Sequence, residues 1–178
     1  VDAAKALEVE KISQQIITAV NSFASAAEGA GASERGAFEA ALNSVIEVVK
    51  VKAENLSDES AASAEKVIDF TDATDLNLIR DKVADEAEKV VTAEGDTGFD
   101  KATLTSLVSD TAISIKNVND QIDSVTDLTS NATKGVFSTL QVLTDQIKAA
   151  AVAEKATPGS GSIEFTDAAK VAIATANL

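Results

Sequence analysis

Glycine and proline are confined almost entirely to three short clusters, and this distribution limits where regular structure can end. Seven of the eight glycines and the only proline lie within residues 29–36, 95–98 and 158–161. Both residue types interrupt helices and strands. The long stretches between the clusters are therefore expected to hold regular structure, with turns at 29–36, 95–98 and 156–162.

Each cluster belongs to a recurring sequence pattern. An Ala-Glu-(Gly or Lys) tripeptide precedes each cluster, and Phe38, Phe99 or Phe165 follows it, with an alanine three residues further on. These phenylalanines lie 61 and 66 residues apart. The spacing predicts a degenerate internal repeat of about 61–66 residues, with units 37–98 and 99–162 between partial units 1–36 and 163–178. Chance recurrence of a good helix start is the alternative, because the units share little identity elsewhere.

The apolar residues are mostly aliphatic. Hydrophobic residues make up 45% of the 178 positions, yet only six residues are aromatic and all six are Phe. A core of Ala, Val, Ile and Leu favours closely approaching helices over a cavity lined by rings, and we interpret the Phe residues as core side chains at helix ends. The length suits a single helical domain over residues 1–178.

Apolar residues recur at spacings of three and four along most of the chain, which is typical of amphipathic helices. The predicted helices cover about residues 1–28, 37–54, 57–70, 72–94, 99–129, 133–156 and 165–176. We expect Gly29 to end the first in a left-handed conformation and Ser57 to cap the third. The apolar residues from Ile115 to Ile147 keep a nearly unbroken helical spacing, which also fits one long helix over 100–155. We nevertheless expect a break near 129–133. The fold class predicted is all-α, an antiparallel up-down bundle of five to seven helices.

The charge and hydropathy exclude some classes of partner. The net charge is −14 and the pI is about 4.3, which argues against nucleic acid, since phosphate binding needs clustered Lys and Arg. No apolar run approaches the length of a membrane span. The sequence starts at Val1 and contains no Met, so we interpret it as a processed or excised piece.

The residue types needed for most catalytic sites are missing. The chain has no His and no Cys, so nucleophile-base pairs and thiolate or transition-metal sites cannot be assembled from it. Its glycine clusters lack the Lys-Ser/Thr that follows a phosphate-binding loop. We therefore expect a protein that is not an enzyme and needs no cofactor.

Two acidic groups are weak candidates for a calcium site. Asp69, Asp72 and Asp75 recur every three residues, and Asp96 and Asp100 flank Gly98. Carboxylates are calcium ligands, but position 12 counted from Asp96 is Leu107 rather than the bidentate Glu of a calcium loop. Helix capping and turn formation explain both groups more simply.

The function expected from these features is structural. The composition resembles that of large secreted bacterial surface proteins, which implies an extracellular or cell-surface location. We expect a non-enzymatic structural or adhesive module that self-associates into a lattice, filament or spacer, or binds another surface protein. The last helix lacks an obvious partner, so Phe165, Val171, Ile173 and Leu178 are the predicted self-association residues. The alternative is a helical bundle that binds an apolar ligand or a protein partner.

Overall fold

The protein is a bundle of α-helices. The computed structural model describes residues 2–178, apart from the side chains of Ala64 and Ala132, and contains no β-strand in that range. Val1, the first residue of the first predicted helix, lies outside the described residues. The helices are α1 (Ala3–Gly29), α2 (Glu34–Glu54), α3 (Ser63–Lys66), α4 (Ala73–Glu94), α5 (Lys101–Asp123), α6 (Asn131–Ala156) and α7 (Ala168–Ala176). The all-α prediction is confirmed: six of the helices pack against each other, and α3 is a single turn.

Helix α1 is the centre of the arrangement. It packs against α2, α5 and α6, while α4 lies against both α2 and α5. Helix α7 lies across α5 and α6. Short connections make α1 antiparallel to α2, and the direct contact of α4 with α5 is also antiparallel.

The core is aliphatic, as the composition predicts. Phe23 is fully buried among Ala, Val, Ile and Leu side chains. Alanines at 26, 27, 40 and 41 are fully buried on α1 and α2, and their small side chains allow these two helices to approach closely.

The prediction for Gly29 is wrong. Gly29 is the last residue of α1, and the left-handed residue of the turn is Gly31, with a φ of 104°. A Cβ atom at Gly29 would lie 2.5 Å from the Cβ of Ala151 and 2.6 Å from the carbonyl oxygen of Lys148. Glycine is required here because α1 and α6 are in close contact, not because the backbone turns.

The second helix starts earlier than predicted. Ser33 is its N-cap, and its hydroxyl accepts a hydrogen bond of 2.9 Å from the backbone N–H of Gly36. Helix α2 therefore begins at Glu34 rather than at residue 37, because a serine cap satisfies a helix N-terminus even when glycine follows.

The helix predicted to start at Ser57 does not form. Ser57 ends a short 3₁₀ turn, Asn55–Ser57, and between residues 57 and 72 only the single turn of α3 is α-helical. The carboxylate of Asp58 accepts hydrogen bonds from the N–H (2.8 Å) and hydroxyl (2.6 Å) of Ser60, which closes a local turn in place of a helix cap. Val67 is exposed, and the apolar residues that pack on the core, Ile68 and Phe70, are only two positions apart. The segment therefore lacks the apolar stripe at spacings of three and four that would stabilise a helix.

Phe70 and Asn119 hold this connection on the bundle. Phe70 is buried, and the side-chain amide of Asn119 donates a 2.8 Å hydrogen bond to the carbonyl oxygen of Phe70. These contacts fix the connection just before α4, whose N-cap is Asp72.

The predicted break near residue 130 is present. Helix α5 ends at Asp123, and α6 begins at Asn131 with Ser130 as its N-cap. The hydroxyl of Ser130 accepts from the backbone N–H of Thr133 at 3.1 Å. The apolar spacing that also fits one long helix is therefore divided between two helices, α5 and α6.

Candidate functional site

The three glycine clusters meet at one end of the bundle, which we call the glycine end (residues 30–33, 95–100 and 157–161). The backbone N–H of Asp100 donates a 2.9 Å hydrogen bond to the carbonyl oxygen of Ala30. The ammonium group of Lys155 donates to the carbonyl oxygen of Gly98. A Cβ atom at Gly31 would lie 2.3 Å from that same oxygen. The recurring sequence pattern therefore forms one contact region in space.

The glutamate of each Ala-Glu tripeptide is bound to a neighbouring element there. Glu28 forms an ion pair with Lys148 of α6 and raises the pKa of that lysine. Glu94 accepts a 2.8 Å hydrogen bond from the hydroxyl of Ser33. Glu154 accepts hydrogen bonds of 2.9 Å from the backbone N–H groups of Gly159 and Gly161. These bonds hold the ends of the helices together.

The hydrogen bonds to Glu154 also change its acidity. The N–H groups of Gly159 and Gly161 lower the pKa of this carboxyl below its ordinary value, because they stabilise the charged form. The hydroxyl of Ser106 adds a weaker contact at 3.3 Å. Glu154 therefore carries its negative charge against the loop that leads to the C-terminal segment.

The structure separates Asp69, Asp72 and Asp75. Asp69 accepts from the N–H (2.8 Å) and hydroxyl (2.6 Å) of Thr71. Asp72 caps α4, and hydrogen bonds from Asp75 N–H and from Thr74 lower its pKa. Asp75 is buried, with a carboxylate oxygen 2.5 Å from Nζ of Lys52. The three carboxylates thus have three different roles within the fold.

Asp96 and Asp100 also have local partners. Asp96 accepts from the N–H of Gly98 at 2.8 Å. Asp100 caps α5, and its hydrogen bonds with Thr103 and the N–H of Ala102 lower its pKa. Within residues 2–178 no three acidic side chains are placed to hold a metal ion together.

The predicted self-association residues fall into two groups. Phe165 and Val171 are buried against the rest of this chain, so they are not accessible to a second copy while the C-terminal segment is seated. The expectation that the last helix lacks a partner is wrong, because α7 packs on α5 and α6. Ile173 and Leu178 are exposed, by 62% and 56%.

A larger exposed apolar surface lies on α2 and includes Phe38, so the interpretation of this Phe as a core side chain is wrong. We define the α2 stripe as Phe38, Leu42, Ile46 and Val49, which are exposed by 47%, 38%, 39% and 43%. Their spacing places them along one side of the helix. The signal in the sequence was that apolar residues cover more of α2 than its buried face needs, since Ala37, Ala41, Val45 and Val48 are buried beside the stripe.

Charged side chains lie beside the α2 stripe. Glu39 and Lys50 are exposed, and neither forms an ion pair within the part of the chain that the structure describes. Arg35 and Phe38 line an open groove of about 500 Å³ between α1 and α2, together with Glu28 and Glu34. This region therefore combines exposed apolar area with charges of both signs.

Comparisons with protein-family models, with curated proteins and with solved structures found no match. Across residues 2–178, none of the helices combines the length and the apolar content needed to cross a membrane.

Proposed function

We propose that this chain is a non-enzymatic structural module whose copies associate by antiparallel pairing of α2. The observation that carries the proposal is the α2 stripe, four exposed apolar side chains in line on one helix. A contiguous row of exposed apolar side chains on a protein surface is a candidate site of contact with another molecule.

The stripe favours a second copy of the same chain as its partner. In an antiparallel pair with twofold symmetry, Phe38 of one copy lies opposite Val49 of the other, and Leu42 lies beside Ile46. The same alignment brings Glu39 of one copy within side-chain reach of Lys50 of the other, twice in the dimer. The charges beside the stripe on one copy are therefore complementary to the charges beside the stripe on the other.

The area of the stripe indicates a reversible contact. From their fractional exposures, its four side chains leave about 300 Å² of apolar surface in water. With the flanking residues of both copies, the pair would bury on the order of 1,000 Å², which is the lower end of specific interfaces. We expect a dissociation constant on the order of 10 μM.

The acid chemistry of the described residues supports a structural role over a catalytic one. Among residues 2–178, each carboxyl group with a clearly shifted pKa is shifted downward, by hydrogen bonds or by lysines. A general acid would need the opposite shift.

We propose an extracellular or cell-surface location for the assembly, which fractionation of the source cells would test.

Sedimentation velocity over a concentration series tests the pairing. We expect the wild-type chain to form dimers and Leu42→Lys to remain monomeric, because a lysine would place a charge within the apolar contact. Ile113→Lys is the matched control, since Ile113 is a similarly exposed isoleucine on α5. This variant should dimerise as the wild type does, and circular dichroism should show the same helix content in all three proteins.

Charge reversal tests the alignment. Glu39→Lys and Lys50→Glu should each weaken dimerisation several-fold, and the double variant should restore it. A wild-type chain that stays monomeric at 200 μM would contradict the proposal and favour the alternative, a bundle that binds a different protein.

A further inference from the structure

The C-terminal segment, residues 162–178, ends in a short helix. Helix α7 has only nine residues, of which Val171 and Thr175 are buried. A helix of this length is not stable alone in water. Its position therefore depends on the surface beneath it.

That surface is a well-defined seat on α5 and α6 for the start of the segment. The side-chain amide of Asn117 donates to the carbonyl oxygens of Phe165 (2.9 Å) and Thr166 (3.1 Å). The side-chain oxygen of Gln146 accepts from the N–H groups of Glu164 (2.9 Å) and Phe165 (3.2 Å). Ile163 and Phe165 are buried beside these bonds. The seat thus binds both the backbone and the apolar side chains of the segment.

The seat also fits the end of α7. A Cβ atom at Gly135 would lie 2.5 Å from the carbonyl oxygen of Thr175, so glycine allows the helix to lie close to α6. The hydroxyl oxygens of Thr139 and Thr175 are 3.1 Å apart and buried. These contacts use only local features of the segment, so the same segment from any copy would satisfy them.

The connection before the segment is suited to opening. Residues 157–162 contain Pro158, Gly159 and Gly161, and Gly159 has a φ of 86°. The loop is closed by the two hydrogen bonds to Glu154 and by a 2.8 Å bond from the hydroxyl of Ser160 to the carbonyl oxygen of Ala153. A Gly-rich connection that loses these bonds can extend.

We propose that the C-terminal segment exchanges between copies, so that residues 162–178 of one copy occupy the α5–α6 seat of another. Glu154 limits the exchange by holding the connection closed. Reciprocal exchange gives a dimer, and sequential exchange gives a chain of copies. This inference rests on the proposed function only in taking a second copy as partner, since the seat and the α2 stripe share no residue.

Disulfide cross-linking tests the exchange in the full chain, which has no cysteine of its own. Two single variants, Thr139→Cys and Thr175→Cys, are mixed under oxidising conditions. We expect a disulfide-linked heterodimer, because the two sulfur atoms meet only when the segment of one copy lies in the seat of the other. Thr139→Cys mixed with Ile173→Cys is the control, since Ile173 is exposed; the heterodimer of these two variants should form only at the background rate.

The double variant Thr139→Cys/Thr175→Cys shows that the seat is formed. If its internal disulfide closes while the mixed single variants remain monomeric after several days, the segment stays with its own chain and the proposal is wrong. Glu154→Gln should raise the rate of heterodimer formation several-fold, and an unchanged rate would overturn the role given to Glu154.

Repeating the mixture in the Leu42→Lys background separates this inference from α2 pairing. We expect the cross-link to persist there, even though α2 pairing is abolished. Loss of the cross-link in that background would show that it depended on α2 pairing, and would overturn the exchange.

Discussion

Asp75 and Lys52 form an ion pair that is nearly removed from water. Their closest atoms are 2.5 Å apart, and the side chains are exposed by only 6% and 10%. Asp75 also accepts a 2.8 Å hydrogen bond from the N–H of Asp69. One carboxylate therefore joins α2, the start of α4 and the connection between them.

Replacing Asp75 should destabilise the fold strongly. Asp75→Ala removes a charged partner from the buried Lys52 and leaves the Asp69 N–H without its acceptor. We expect the free energy of unfolding to fall by about 3 kcal/mol, measured by urea denaturation. Asp81→Ala is the control, because Asp81 is exposed and pairs with Arg80 at the surface; its effect should be under about 0.5 kcal/mol. Equal losses in the two variants would contradict the role of burial.

Glu154 should make the C-terminal loop sensitive to acid. Its pKa is lower in the folded protein than in the unfolded chain. The stabilisation is therefore complete above the unfolded pKa of about 4.3 and is lost as the pH falls through the folded value. NMR titration of the Gly159 and Gly161 amides should show a midpoint below 4.3. The stability difference between the wild type and Glu154→Gln should shrink over the same pH range, and a midpoint above 4.3 would contradict this account.

Helices α1 and α6 approach each other closely at Gly29. The space for a side chain there is filled by the Cβ of Ala151 and the carbonyl oxygen of Lys148. Backbone atoms of a long helix cannot move aside as a flexible side chain can. This contact fixes the distance between the two helices.

Adding a single methyl group should separate them. Gly29→Ala should lower the free energy of unfolding by about 2 kcal/mol, although alanine is the better helix former. Gly36→Ala is the matched control on α2, because the nearest atom there is the carboxylate oxygen of Glu94, at the end of a flexible side chain. Thermal or urea unfolding should show Gly36→Ala unchanged or slightly more stable. If both variants lose equal stability, close contact is not the cause.

The difference between α4 and α3 shows which elements the sequence could predict. Helix α4 has Asp72 as a cap, a regular apolar stripe from Leu76 to Val90 and Gly95 at its end, and it forms where predicted. The region after Ser57 has capping residues but no stripe that can be buried, and it forms one turn. Local signals suffice only where packing supports them.

The charge of the whole molecule affects any contact between its copies. Because each copy has a net charge of −14, two copies repel each other over the distance set by ionic screening. The screening length falls from about 30 Å at 0.01 M salt to about 8 Å at 0.15 M. An apolar contact through the α2 stripe would not weaken over this range.

Self-association should therefore strengthen with salt. We expect the dimer dissociation constant to decrease several-fold between 0.01 and 0.15 M NaCl, measured by sedimentation velocity. Calcium and magnesium chloride at matched ionic strength should have equal effects, and a larger effect of calcium would indicate a specific site. A dissociation constant that increases with salt would show that opposite charges, rather than the apolar stripe, dominate the contact.

The sequence by itself determined the helical class, the aliphatic core and the three glycine turns, because periodicity and backbone freedom are local properties of the chain. It did not determine that those turns meet at one end, that Gly29 serves a helix contact, or that Asp75 is buried against Lys52. It did not determine either that Phe38, Leu42, Ile46 and Val49 on α2 stay exposed while Phe165 and Val171 are buried. These features depend on which faces of distant helices meet, and an apolar side chain has the same chemistry whether a neighbour covers it or leaves it in water.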